Sequence, residues 1–363
     1  MSRYTQNGYP WSNGVGTDVT DCVTAREVME KANLDWRVKK CEVMAKMPFT
    51  FNEYDDSLNN IDKINGSFVY EEKVYRNLQG AYATYRADKN IPLGFVKEKY
   101  NVVQNTDAFT FFDEAIGFDK CKWEYAGAFG LGHKIFVTAR IQLDTDITIN
   151  GNKDYIENYL VFSNSHDGSS SITIMFTPIR VFCTNCLNAG LDKSESYIRI
   201  RHTDSVKDKL TQGTEILHIA CQRANHAKEL YQYLGKIKLT DDEVLHYIID
   251  NNLNDKEKSN LLTFDPQYGY KRVLQKDYRI LEDTGISMRK ANVIENMYSY
   301  YMDGIGQQNI AGTAWGAYNA ITGFYSNVAN LEGTKRMDSL LYGNAQNVMQ
   351  KALVNVYNLK APL

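Results

Sequence analysis

Lys134-Ile-Phe-Val-Thr-Ala-Arg-Ile-Gln-Leu143 alternates without a break. Ile135, Val137, Ala139, Ile141 and Leu143 fall on one side of an extended chain, and Lys134, Phe136, Thr138, Arg140 and Gln142 on the other. A period of two held this long is a strand. Upstream, Cys121–Phe129 is joined to it by Gly130-Leu-Gly132, which makes a β-hairpin of the two. Downstream, Tyr155–Asn164 and Ser171–Thr177 flank His166-Asp167-Gly168-Ser169, and Asp-Gly between alternating runs signals a second hairpin.

Working outward, Ser67–Arg76 and Ala81–Arg86 read as paired strands, and Leu93–Gln104 as another. Asn105 caps a short helix with Ala108, Phe109, Phe112 and Ile116 on one face. Cys183–Leu191 reads as a short helix and Ser196–His202 as a final strand. Residues 1–66 look irregular except for a helix opened by the capping box Thr24-Ala-Arg-Glu27. Beyond Thr203 the period lengthens. Helices are expected over 205–235, from Thr240 to Asp250, and over 288–302, 313–330 and 335–358. The fold class is therefore α+β: an N-terminal β-rich region with antiparallel hairpins and a short helix, then a mostly helical C-terminal region. The expected divisions are 1–66, 67–203 and 204–363.

The 363 residues carry 41 Lys and Arg against 44 Asp and Glu, a net charge of −3. That excludes a polybasic tail or an acidic disordered chain as the organising feature. No apolar run reaches the ~18 residues of a membrane span, and the N-terminus lacks an apolar signal core. The six cysteines are scattered, as reduced thiols in a cytoplasm would be. A soluble, cytoplasmic protein is expected. Tyrosine is abundant, at 25 against 15 Phe. Codon bias explains the number, and stacking on nucleic-acid bases would explain the residue type.

Cys183-Thr-Asn-Cys186 has the spacing of half a zinc site, with Cys221 and His226 as distant partners, or of a redox pair. One such pair without a second is no metal signature, and two small residues opening a helix account for it. Ser163-Asn-Ser-His166-Asp167 holds the residue types of a hydrolase triad, but neighbouring side chains diverge and cannot converge as a triad must. No catalytic residue, metal or cofactor is expected. Charge is more informative. Between 180 and 240 there are ten basic and six acidic residues in an otherwise negative chain. Arg199 and Arg201 share a strand face, Arg180 lies upstream, and Lys134 and Arg140 lie on a neighbouring strand. With His202 and the base-stacking candidate Tyr100, these form the expected site for single-stranded nucleic acid. An ordinary solvated sheet face is the competing reading.

Three runs carry a resemblance: Leu160-Val-Phe-Ser-Asn-Ser-His-Asp-Gly-Ser-Ser170, Phe176-Thr-Pro-Ile-Arg-Val-Phe-Cys-Thr-Asn-Cys-Leu187 and Arg199-Ile-Arg-His-Thr203. Leu93–Asn105 and Gly312–Thr322 extend it. The chain resembles the phage/plasmid-like protein family, catalogued as a domain of unknown function, although Cys186 stands where a non-cysteine is expected. The resemblance implies a role in phage replication, recombination or host interaction. In outline the layout is similar to phage single-strand annealing proteins, which form oligomeric rings. The expected function is non-enzymatic annealing or recombination of single-stranded DNA by a homo-oligomer. The alternative is a counter-defence factor that binds a host protein.

Overall fold

The computed structural model describes residues 7–50, 68–70, 73–116, 121–192, 197–202 and 213–359. The first elements are β1 (Thr17–Asp18), α1 (Ala25–Lys31), β2 (Val38–Thr50), β3 (Phe68–Tyr70), β4 (Lys73–Arg86) and β5 (Ile91–Lys97). The capping box at Thr24 and Glu27 forms as the sequence requires. β4 is the spine of a four-stranded antiparallel sheet, with β2 along one side and β3 and β5 along the other. Two expectations are corrected here. Residues 1–66 contain a thirteen-residue strand, and most of the runs read as two paired strands belongs to the single strand β4. β2 exposes neighbours such as Cys41 and Glu42 alike, which erases its alternation. In β4 the pairing jumps from Tyr82 opposite Glu42 to Asn77 opposite Met44. Gly80 sits in this bulge at φ +75°, a conformation that favours glycine.

After α2 (Asn105–Ile116) come β6 (Cys121–Phe129), β7 (Lys134–Ile141), a small hairpin of β8 (Ile147–Ile149) and β9 (Asn152–Asp154), then β10 (Ile156–Ser165), β11 (Ile172–Arg180), β12 (Asn185–Cys186) and β13 (Tyr197–Ile200). Both expected hairpins are present, and they join into an antiparallel sheet ordered β1-β6-β7-β10-β11, with β12 and β13 both pairing with β11. No helix forms over Cys183–Leu191. Thr184 takes φ +50°, which a right-handed helix does not allow, and the chain turns back to pair Asn185 and Cys186 with the end of β11.

The helical region comprises α3 (Gly213–Lys236), α4 (Asp241–Asn252), α5 (Asp255–Phe264), α6 (Gly269–Leu274), α7 (Tyr278–Thr284), α8 (Met288–Asp303), α9 (Ala314–Gly323), α10 (Gly333–Leu341) and α11 (Asn344–Asn358). The expected start of α3 at Ser205 lies outside the described residues. The run 335–358 is two helices that meet at Tyr342-Gly343. The run 313–330 starts as α9 and ends in a π turn over Phe324–Val328.

The larger sheet is buried on both faces. Ile135, Val137, Ala139, Leu160, Phe162, Ile174 and Phe176 pack with Val28, Phe109, Ala220 and Ala224 of α1, α2 and α3. On the reverse, Phe136, Tyr159, Val161 and Met175 pack under Trp11 and under Met337, Leu340, Leu341 and Met349 of α10 and α11. A third apolar cluster gathers α3, α4, α8, α9 and the β8–β9 hairpin around Trp315 and Tyr318.

Candidate nucleic-acid interface

β13 lies against β11, with Arg199 opposite Thr173 and Tyr197 opposite Met175. Alternation sends Ile198 and Ile200 to the core and turns Arg199 outward. Arg199 and Arg201 are exposed, and neither has a carboxylate partner among the described residues. The Arg199 guanidinium lies 5.2 Å from the Tyr197 ring. Tyr197 is 6.4 Å from Tyr342, and the Lys134 ammonium is 5.9 Å from the Tyr342 ring. Two cations are thus linked through two tyrosines at the junction of β13, β7 and the end of α10.

His202, next to Arg201, stacks on Tyr100 at 4.6 Å between ring centroids. Its Nδ1 lies 3.1 Å from the Asn101 carbonyl, and its Nε2 is buried without a hydrogen-bond partner among the described residues. Burial lowers its pKa below the usual value, against an upward pull from the Asn101 carbonyl, so the ring is neutral at pH 7. The Tyr100 hydroxyl donates to the Ser165 carbonyl at 2.6 Å, and Ser165 pairs with Lys134 across β10 and β7. Lys40 reaches the same loop, donating to the carbonyls of Glu98 and Tyr100 at 2.7 and 3.2 Å. Lys99, beside Tyr100, is exposed. Lys40 and Lys99 escaped sequence reasoning because they come from the other sheet and its connecting loop. Lys99 carried the one signal, a basic residue flanking Tyr100.

The tip of the β10–β11 hairpin sits amid these groups. The Ser165 hydroxyl donates to Asp167, and Asp167 also accepts from the Ser169 amide at 2.9 Å. Burial opposes the Asp167 charge, but these hydrogen bonds and the nearby Lys134 hold its pKa below the usual carboxylate range. His166 turns the other way, with Nε2 2.8 Å from Asn105 Oδ1. Burial, helped by nearby His202, pushes it down to about 3. Serine, histidine and aspartate do not converge, as expected of consecutive residues.

Two expected phosphate contacts are corrected. Arg180 is fully buried. Its Nε lies 2.8 Å from both carboxylate oxygens of Asp154, Nη2 donates to the Gly306 carbonyl at 2.9 Å, and Asp154 also accepts from Trp315 Nε1 at 2.8 Å. The parity of β11 puts Arg180 with Ile172 and Ile174, on the face opposite Thr173 and its partner Arg199. Arg140 is paired with Glu124 at 3.1 Å and Glu157 at 2.7 Å, so its charge is already taken up. Burial works against the Glu157 carboxylate, yet hydrogen bonds from Tyr9, Tyr159 and Arg140 hold its pKa low. Lys134 is also tempered, by Asp338 at 3.9 Å. Arg199, Arg201, His202, Tyr100 and Lys134 come together, while Arg180 and Arg140 stand apart. Lys193, Lys207 and Lys209 lie outside the described residues.

Cys183 and Cys186 are buried. Burial raises both thiols, Cys186 up to about 12, which makes them poor nucleophiles. Among the described residues no three His, Cys, Asp or Glu side chains come together as metal ligands. No helix among them is long and apolar enough to cross a membrane.

The architecture is an α+β protein whose doubly covered antiparallel sheet presents a basic and aromatic edge. Residues 92–353, more than half of the chain, match the model of a family described as a domain of unknown function, DUF932, and the chain belongs to that family. No curated protein and no solved structure shows a significant match to it.

Proposed function

We propose that the protein binds single-stranded nucleic acid at the edge formed by β13, the 98–102 loop and the β10–β11 tip. It does so without enzymatic chemistry, to promote strand annealing or recombination in a phage or plasmid setting. The observation that carries this reading is the juxtaposition of two exposed arginines, free of carboxylates among the described residues, with the stacked Tyr100–His202 pair. The arginines supply charge for phosphates, and the half-buried tyrosines supply flat apolar surface beside it. With Nδ1–H donating to the Asn101 carbonyl, His202 Nε2 is an acceptor, and it would find its missing partner in a nucleotide amino or hydroxyl group. Assembly of several copies along one strand belongs to the same proposal, and size-exclusion chromatography with and without oligonucleotide reads it.

Fluorescence anisotropy on a labelled oligonucleotide at two salt concentrations is the direct test. The double variant Arg199→Ala/Arg201→Ala should bind about tenfold or more weakly, with a log–log salt slope shallower by about 1.4, the slope for two contacts to single strands. Absence of binding by the unmodified protein at low salt would overturn the reading. The exposed Phe95 and Leu131 favour a second reading, a host-protein contact. That reading requires partner capture that survives nuclease treatment and is lost in Phe95→Ser.

A further inference from the structure

We propose a second ligand site, for a phosphate monoester, in the cavity between residues 7–15 and 328–336. It is separate from the hairpin edge and does not depend on it. The cavity has a volume of about 650 Å³, within the range of small-molecule sites. Asn7, Ser12, Asn13 and Asn330 supply polar lining, with Val15 and Leu331 among the apolar wall.

Arg336 lines this cavity and is 6% exposed. Among the described residues its guanidinium meets only carbonyl oxygens. Nε and Nη2 donate to Ser326 at 3.2 and 2.8 Å, Nη2 also to Gly8 at 2.9 Å, and Nη1 to Tyr9 at 3.3 Å. Those bonds use four of its five N–H groups. One N–H and the full positive charge are left, with no carboxylate paired to it among the described residues. Burial of the cation lowers its basicity. Arg180, more deeply buried still, has Asp154 as its counter-charge, whereas buried Arg336 has none among the described residues. An anion in the cavity would supply the missing counter-charge.

The start of α10 points to the same ligand independently. Its N-cap residue Glu332, exposed and part of the lining, makes no side-chain cap bond. The Arg336 amide is bonded to the Glu332 carbonyl at 3.2 Å, so the amides of Gly333, Thr334 and Lys335 have no acceptor within the helix. The Gly333 end of a helix N-terminus and the Arg336 guanidinium on one wall are the chemistry that recognises phosphate. The volume leaves room for more than the phosphate itself, which fits a nucleotide. A free nucleotide and the 5′ end of a strand present the same group.

Isothermal titration calorimetry on the full chain tests this, with inorganic phosphate, a nucleoside 5′-monophosphate, and one oligonucleotide carrying either a 5′-phosphate or a 5′-hydroxyl. Saturable binding of the mononucleotide, tighter than that of inorganic phosphate, is expected. A preference for the 5′-phosphorylated strand would assign the site to strand ends, and equal binding of the two strands to free nucleotides. Arg336→Gln should weaken mononucleotide binding about tenfold or more. Because Arg336 also ties residues 8 and 9 in place, Asn330→Asp gives the cleaner answer. It puts a carboxylate of the same shape on an exposed side chain that lines the cavity, so the fold holds while phosphate is repelled. Arg199→Ala/Arg201→Ala should leave mononucleotide binding unchanged, which separates this site from the hairpin edge. No heat with the mononucleotide, or undiminished binding in Asn330→Asp, overturns the proposal.

Discussion

His166 is held as a neutral ring beside a second histidine, and that has a cost in acid. Its pKa of about 3 stands against the usual 6.5, so between those values the unfolded chain binds a proton that the folded chain refuses. Stability is complete above pH 6.5 and falls as pH drops toward 3, by about 1.4 kcal/mol per unit from this group. His202, also lowered by burial, adds in the same direction. The melting temperature should therefore decline from pH 7 to pH 5, and His166→Gln should flatten that decline. An unchanged slope would mean that the ring titrates normally. Sequence parity made Arg199 legible, because alternation alone turns it away from Ile198 and Ile200. Arg180 was illegible: its partner Asp154 and the shared Trp315 are distant in sequence, and nothing local announces that a strand-end arginine is enclosed.

Among the elements, the β10–β11 tip depends on a close approach. A Cβ on Gly94 would stand 2.4 Å from the Asp167 Cα, so β5 can lie against the tip only while residue 94 is glycine. Thr84 Oγ1 fixes the same contact by donating to the His166 carbonyl at 2.6 Å. Gly94→Ala should cost about 1–3 kcal/mol in denaturant unfolding and should also weaken oligonucleotide binding. Loss of stability with full affinity would place the tip outside the binding surface. The hairpins 121–141 and 156–180 were readable because strict alternation and a turn signal agreed. β2 and β4 were not, since an exposed ribbon has no need of strict alternation and the bulge at Gly80 breaks what remains. Thr184 shows a further limit. A threonine with positive φ carries no local mark, so the segment after β11 imitated a helix start.

For the molecule as a whole, the Arg180–Asp154 pair fastens the sheet to the helices. Through it β11, β9, the turn at Gly306 and Trp315 of α9 meet at one buried charge pair. Removing one partner strands the other without water. Asp154→Asn should cost about 3–5 kcal/mol, whereas Asp154→Leu with Arg180→Met should recover much of it. Guanidinium unfolding followed by tryptophan fluorescence compares them, and equal loss in both variants would contradict the clamp. The division into a β-rich first part and a helical second part was legible from the change of period. What the change of period could not reveal is that the two parts share cores, because side-chain alternation reports a face and not what covers it.

The double covering of the larger sheet also sets an order of events during synthesis. β7, β10 and β11 leave the ribosome well before α10 and α11, whose Met337, Leu340, Leu341 and Met349 cover Phe136, Val161 and Met175. Until then one apolar sheet face stays bare, and closing it requires contacts between distant parts of the chain. The nascent protein is most prone to aggregate in that interval, and chaperone dependence should centre there.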